Sequence, residues 1–103
     1  MRDHAREAVA LAHGKTRAEL DSDRLLVLGL TRLVEIVGEA AARVSDSQRE
    51  QLPNIPWADI VGMRNRLIHG YDAVDEDILW TVVTRDLPPL VEGLSTHLDR
   101  LKK

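Results

Sequence analysis

Cysteine and phenylalanine are absent from this 103-residue chain, and aromatic residues make up only 3% of it. Without cysteine there are no disulfides, no thiol nucleophile and no thiolate-held metal, which suits a reducing compartment. Without phenylalanine the core must be assembled from Leu, Val, Ile and Ala, which pack well between helices. No apolar run approaches the ~20 residues of a membrane span. Met1-Arg2-Asp3-His4 does not open the apolar stretch of a secretory leader, so the expectation is a cytoplasmic protein. Basic charge is also scarce: 14 Lys and Arg face 17 Asp and Glu, and the net −3 argues against a protein that coats nucleic acid. Hydrophobic residues at 44% argue equally against disorder. No repeat, low-complexity tract or linker divides the chain, so residues 1–103 read as a single domain.

What is present is helical spacing. Ala5, Ala8, Val9, Ala12 and Leu20 mark a short Ala-rich helix between Arg2 and Leu20, interrupted or ended near Gly14. Leu26, Leu30, Leu33, Val37, Ala40 and Val44 alternate four and three apart, predicting a helix over Asp23 to Val44 with Asp21 or Ser22 as its cap. Its polar residues occupy only about a third of the circumference at ~100° per residue. The helix is therefore either central in a bundle or shared with a second subunit, which would place Leu30 and Leu33 at the subunit contact. Ser45-Asp46-Ser47 reads as a break, and Pro53-Asn54-Ile55-Pro56 as a turn or extended segment. Pro56 suits the first position of a third helix, Trp57 to about His69, that Gly70 would end. A fourth starts near Asp75 and must be kinked or divided at Pro88-Pro89. No segment alternates convincingly like a strand. The expected class is all-α, an up-and-down bundle of four to five helices.

Histidine offers the candidate chemistry. His4, His13 and His97 have no partner at a metal-binding spacing, and no metal site is expected. His69 has better company. Val61 to Tyr71 holds Arg64, Arg66 and His69 without one acid, so any anion-binding surface is a small local site. Asn65 and His69, four apart on one helix, would share a face. Arg64 and His69, five apart, would lie ~140° from each other, too far round for direct contact on one helix. An imidazole can move a proton near neutral pH, and a guanidinium can stabilise charge developing on a phosphate. Asn65 could orient the imidazole or bind a phosphate oxygen, and Arg66 could contact RNA phosphate. Read from spacing alone, the cluster is better explained as an Arg and a His that cap a helix end and pair with Asp72 or Asp75 than as a catalytic site. Trp57 and Trp80 read as core anchors, and Glu35 and Glu39 as partners of Arg32 and Arg43 in surface ion pairs.

The stretch Ile55 to Tyr71 resembles the signature segment of HepT-type HEPN ribonuclease toxins: an Arg, four residues, a His, one residue and a Tyr. Ile36-Val37-Gly38-Glu39-Ala40-Ala41 upstream, and Ile78-Leu79-Trp80 and Asp86-Leu87-Pro88 downstream, extend the likeness over Leu25 to Leu94. The resemblance implies a dimeric helical bundle and a metal-independent endoribonuclease without a cofactor. It implies a composite RNA-cleaving site with Arg64 and His69 from both subunits. It also implies a partner, an MNT-type nucleotidyltransferase antitoxin that adds AMP to Tyr71. Two competing readings remain: a non-catalytic HEPN module that binds nucleotide or assists a nucleotidyltransferase, and a purely structural dimerisation bundle.

Overall fold

The computed structural model describes residues 1–69 and 73–101, and of Arg64, Ile68, His69 and Ala73 it describes the backbone alone. Helix α1, Arg2–Ala12, packs against α3 and α8. It buries only alanines (Ala5, Ala8 and Ala12), which lets its axis approach both neighbours closely. At the crossing with α3, a Cβ on Gly29 would stand 3.4 Å from Leu11 Cδ2. Gly14 ends the segment in the left-handed region, φ 76°, a backbone conformation that strains any side-chain-bearing residue even though the space around it is open. One short turn, α2 (Glu19–Ser22), then plugs Leu20 into the core.

Helix α3, Arg24–Ala42, is the central element, in contact with α1, α5, α6 and α7. Its cap is Asp23, whose carboxylate accepts from Leu26 N at 3.0 Å. The expected caps, Asp21 and Ser22, instead belong to α2. Leu26, Leu30, Leu33, Val34, Val37 and Ala41 are buried within the protomer. Leu30 and Leu33 are thus core residues rather than subunit contacts, a correction to the expectation. The uncovered apolar side of α3 is carried by Leu25, 81% exposed, and Leu28, 49% exposed. The molecule measures 17 Å in its thinnest direction, room for two helix layers, so one flank of α3 has no neighbour.

The presumed break at residues 45–47 is a short helix, α4 (Asp46–Glu50). It buries nothing and is held by a capping box between Ser45 and Gln48. Arg49 folds back from it to donate to Ala41 O at 3.0 Å and Val44 O at 3.2 Å, satisfying carbonyls at the end of α3. The same guanidinium lies 5.7 Å from the Trp57 ring centroid, and Trp57 Nε1 donates to Leu52 O. Trp57 is the core anchor expected, whereas Trp80 is only half-buried.

The predicted third helix is two short ones. Helix α5, Trp57–Val61, follows Pro56 as its cap, and α6, Met63–Leu67, follows Gly62. The backbone of α5 rests on α3 at Gly38, where an added Cβ would stand 3.4 Å from Ile60 O. Helix α6 stops at Leu67 instead of running to His69. Strand β1, Ile68–His69, pairs antiparallel with β2, Ala73–Val74, in the register Ile68 to Val74 and His69 to Ala73. Leu67 O accepts from Asp75 N at 2.8 Å, diverting the last carbonyl of α6 out of the helix. This miniature ladder departs from the strand-free expectation without changing the class, an all-α bundle. The expected Gly70 stop falls outside the described residues.

Helix α7, Glu76–Thr81, is capped by Asp75, which accepts from Ile78 N at 3.0 Å. A π turn over Val82–Asp86 separates it from α8, Leu87–Leu101, so Pro88 and Pro89 lie in the first turn of α8. There a missing amide costs least, and the wide turn absorbs the change of register. The division expected at the prolines therefore lies just before them. No helix among the described residues is long and apolar enough to cross a membrane.

Candidate active site at the end of α6

Among the described residues, the site residues the sequence singled out lie on α6 or on β1, the strand that follows it. Arg64, Asn65 and Arg66 are on α6, and His69 is the second residue of β1. Tyr71 lies outside the described residues, and the side chains of Arg64 and His69 are likewise not described. Because the helix ends at Leu67, the angles expected along a continuous helix do not apply. Asn65 and His69 do not share a helical face, and the ~140° offset between Arg64 and His69 is replaced by a helix-to-strand junction.

Asn65 and Arg66 are both exposed. Arg66 Nη2 donates to Asp59 O at 3.2 Å and stands 3.9 Å from Asp86 Oδ2, so Arg66 faces α5 and the π turn. It also lines a mostly apolar groove of about 350 Å³ with Asp77, Ile78, Thr81 and Val82. Asp75, offered by the sequence as a partner for the Arg and His cluster, is engaged in capping α7. Among the described residues no cluster of His, Asp or Glu is placed to hold a metal ion.

Downstream of the hairpin is a cluster that sequence reasoning missed. Arg17, between α1 and α2, donates from Nε to Asp77 Oδ1 at 2.7 Å and from Nη1 to Asp21 Oδ1 at 3.1 Å. The same Nη1 lies 3.6 Å from Glu76 Oε2. Three carboxylates thus converge on one guanidinium at the start of α7. The Asp21 carboxyl is held below its usual range, first by a hydrogen bond with Glu76 and then by Arg17. Glu76 is pushed above its range, first by that bond with Asp21 and then by desolvation. The opposite directions describe two carboxyls competing for one proton, which Glu76 retains the longer. Hydrogen bonding to Asp77 and Asp21 raises Arg17, reinforcing its charged form. Only the Arg17–Asp21 spacing was visible in the sequence; Asp77 is sixty residues from Arg17.

The chain is similar in sequence to several known proteins. The family described as "Ribonuclease HepT-like" matches residues 1–96. A Methanocaldococcus jannaschii protein named "Putative RNase MJ1380" is 38% identical over 72 residues, 70% of this chain and 66% of its own length. "Putative RNase TTE0752" of Caldanaerobacter subterraneus is 34% identical over 80 residues, 78% of this chain and 71% of its own. "Probable ribonuclease HepT" of Thermococcus cleftensis is 37% identical over 68 residues, 66% of this chain and 62% of its own. The chain thus spans about two thirds of the length of these relatives. No solved structure matches it. A family match over nearly the whole chain and an all-helical bundle around the α6 segment lead to one assignment: this chain belongs to the HepT-like ribonuclease family.

Proposed function

We propose that this chain is a metal-independent endoribonuclease toxin of a toxin–antitoxin pair, with RNA as its substrate and Arg64 and His69 as its catalytic residues. The observation that carries the reading is the Arg64 to Tyr71 motif inside a chain of the HepT-like family, whose relatives are named as RNases. The chemistry needs nothing beyond these groups. The His69 imidazole takes the proton of an RNA 2′-hydroxyl as that oxygen bonds to the adjacent phosphorus. The P–O5′ bond then breaks, and the departing oxygen is protonated by an imidazolium. The ends are a 2′,3′-cyclic phosphate and a 5′-hydroxyl. Arg64 remains cationic throughout and donates to the phosphoryl oxygens as charge builds on them. Asn65 orients the imidazole or binds a phosphate oxygen, and Arg66 contacts a neighbouring phosphate.

The working unit in this reading is a homodimer, with Arg64 and His69 of both subunits forming one composite site. Leu25 and Leu28, three apart on α3, share a flank with Leu11 of α1, and all three are substantially exposed. Covering each leucine would contribute about 1.5–3 kcal/mol. The double substitution Leu25→Glu, Leu28→Glu is expected to give a helical monomer with little cleavage, and wild type is expected to sediment as a dimer. A monomeric wild type that cleaves RNA at full rate would exclude the composite site.

Tyr71 is the proposed acceptor of AMP from an MNT-type nucleotidyltransferase antitoxin. A phosphate and an adenine placed two residues from His69 would occupy the substrate's position and silence the enzyme. Coexpression with such a partner is expected to add one adenylyl group to wild type and none to Tyr71→Phe, as read by intact mass. An unmodified Tyr71 in a chain that the partner still inhibits would point to inhibition by complex formation. The net −3 charge favours a second reading, a non-catalytic module that binds nucleotide or assists the nucleotidyltransferase. Binding of nucleotide by a chain that leaves RNA intact would establish it.

A further inference from the structure

The strand pair Ile68–His69 and Ala73–Val74 has an upstream and a downstream stem, and they are secured differently. The upstream stem is α6, packed on α3 through the buried Met63 and Leu67. The downstream stem is Val74 and Asp75, half-buried, followed by the six residues of α7. A helix this short is marginal alone. Three contacts secure its start. Asp75 N donates to Leu67 O at 2.8 Å, closing the two stems on each other. The Asp75 carboxylate accepts from Ile78 N, closing the first turn of α7. Arg17 reaches across from the α1–α2 connection, its Nε donating to Asp77 and its Nη1 pairing with Glu76 while donating to Asp21. Apolar packing of Val74, Ile78 and the fully buried Leu79 seats the stem on the core, and of the three polar contacts the third is the one that reaches the α1–α2 connection.

From this arrangement we infer that Arg17 is a positioning residue: its three-carboxylate clasp holds the downstream stem of the strand pair whose first strand ends in His69. Its catalytic consequence rests on the ribonuclease reading above; its effect on the hairpin does not. Arg17 itself touches no candidate catalytic group among the described residues. It acts through Glu76 and Asp77, which are joined in sequence to the Asp75 that bonds Leu67. One exposed ion pair contributes little, but two hydrogen-bonded carboxylates and a third ion-paired one on a single guanidinium restrict the geometry more than any single pair. The two carboxyls that compete for a proton, Asp21 and Glu76, are both within reach of the same guanidinium. Without Arg17, three neighbouring acids would repel one another at the start of α7.

The test is amide hydrogen exchange followed by NMR on the full chain, comparing wild type, Arg17→Ala, Arg17→Lys and a control, Arg6→Ala. Arg6 is exposed, and its guanidinium donates to Ser95, away from the clasp. In Arg17→Ala the amides of Asp75, Ile78 and Leu79 are expected to exchange about five- to ten-fold faster. Amides in the middle of α3 should keep their wild-type rates, and Arg17→Lys should fall between. With wild type cleaving RNA, kcat should drop about as far in Arg17→Ala while KM stays constant. Unchanged exchange at those three amides in Arg17→Ala would overturn the clasp. Faster exchange with an unchanged kcat would overturn its role in positioning. Faster exchange in a wild-type background that never cleaves RNA would support the clasp and count against the ribonuclease reading alone.

Discussion

His69→Ala is expected to lower RNA cleavage by about 10²–10⁴-fold while leaving the melting temperature close to that of wild type. The rate falls because no other histidine is on α6 or the hairpin, so nothing nearby replaces the proton carrier. The fold survives because β1 contributes its backbone to the pairing with Ala73, which an alanine preserves. Arg64→Ala is expected to cause a loss of similar size. Arg64→Lys should recover only part of it, since an ammonium keeps the charge but not the two-pronged donor geometry. The measurements are kcat and KM on a defined RNA, with thermal unfolding followed by circular dichroism. Wild-type cleavage rates in His69→Ala would remove this residue from the mechanism.

Leu30→Ala is expected to destabilise the chain by about 2–5 kcal/mol, a large share of the ~5–15 kcal/mol that holds a domain of this size. Leu30 is fully buried in the middle of α3, the helix against which α1, α5, α6 and α7 all pack, so the lost volume has few ways to close. Leu101→Ala, at a side chain 66% exposed near the end of α8, should cost at most about 0.5 kcal/mol. Urea unfolding of both variants at one protein concentration checks the contrast, since dimerisation would make each midpoint concentration-dependent. Equal midpoints would mean that the core is organised differently from this description.

The parts legible in the sequence are those in which one helix buries one face. The run of apolar residues from Leu26 to Val37 announced α3, and the alanines of α1 and the leucines of α8 did the same for their helices. The prolines at 88 and 89 announced a division, although nothing in the residues named the π turn that carries it. Helix α4 escaped because it has no apolar periodicity and buries nothing. Its signal was the Ser45-x-x-Gln48 capping pattern alone. The end of α6 at Leu67 escaped for a different reason. Ile68 continues the helical apolar spacing, and the competing partners, Val74 and the Asp75 amide, lie beyond the turn. The same non-locality hid Arg17, whose closest carboxylate is on another helix. The candidate site was legible as a motif through resemblance, not through spacing. Spacing on one continuous helix put Arg64 and His69 on different sides, an objection that lapses once the helix stops between them.

The most direct test is incubation of purified wild-type chain with a defined RNA in excess EDTA, with the product ends resolved by mass spectrometry. Cleavage that persists in the chelator, yields 2′,3′-cyclic phosphate and 5′-hydroxyl ends, and vanishes in a parallel His69→Ala preparation is the result this account predicts. Cleavage that requires a divalent cation, or RNA left intact by the wild type under every condition that preserves its fold, would contradict it.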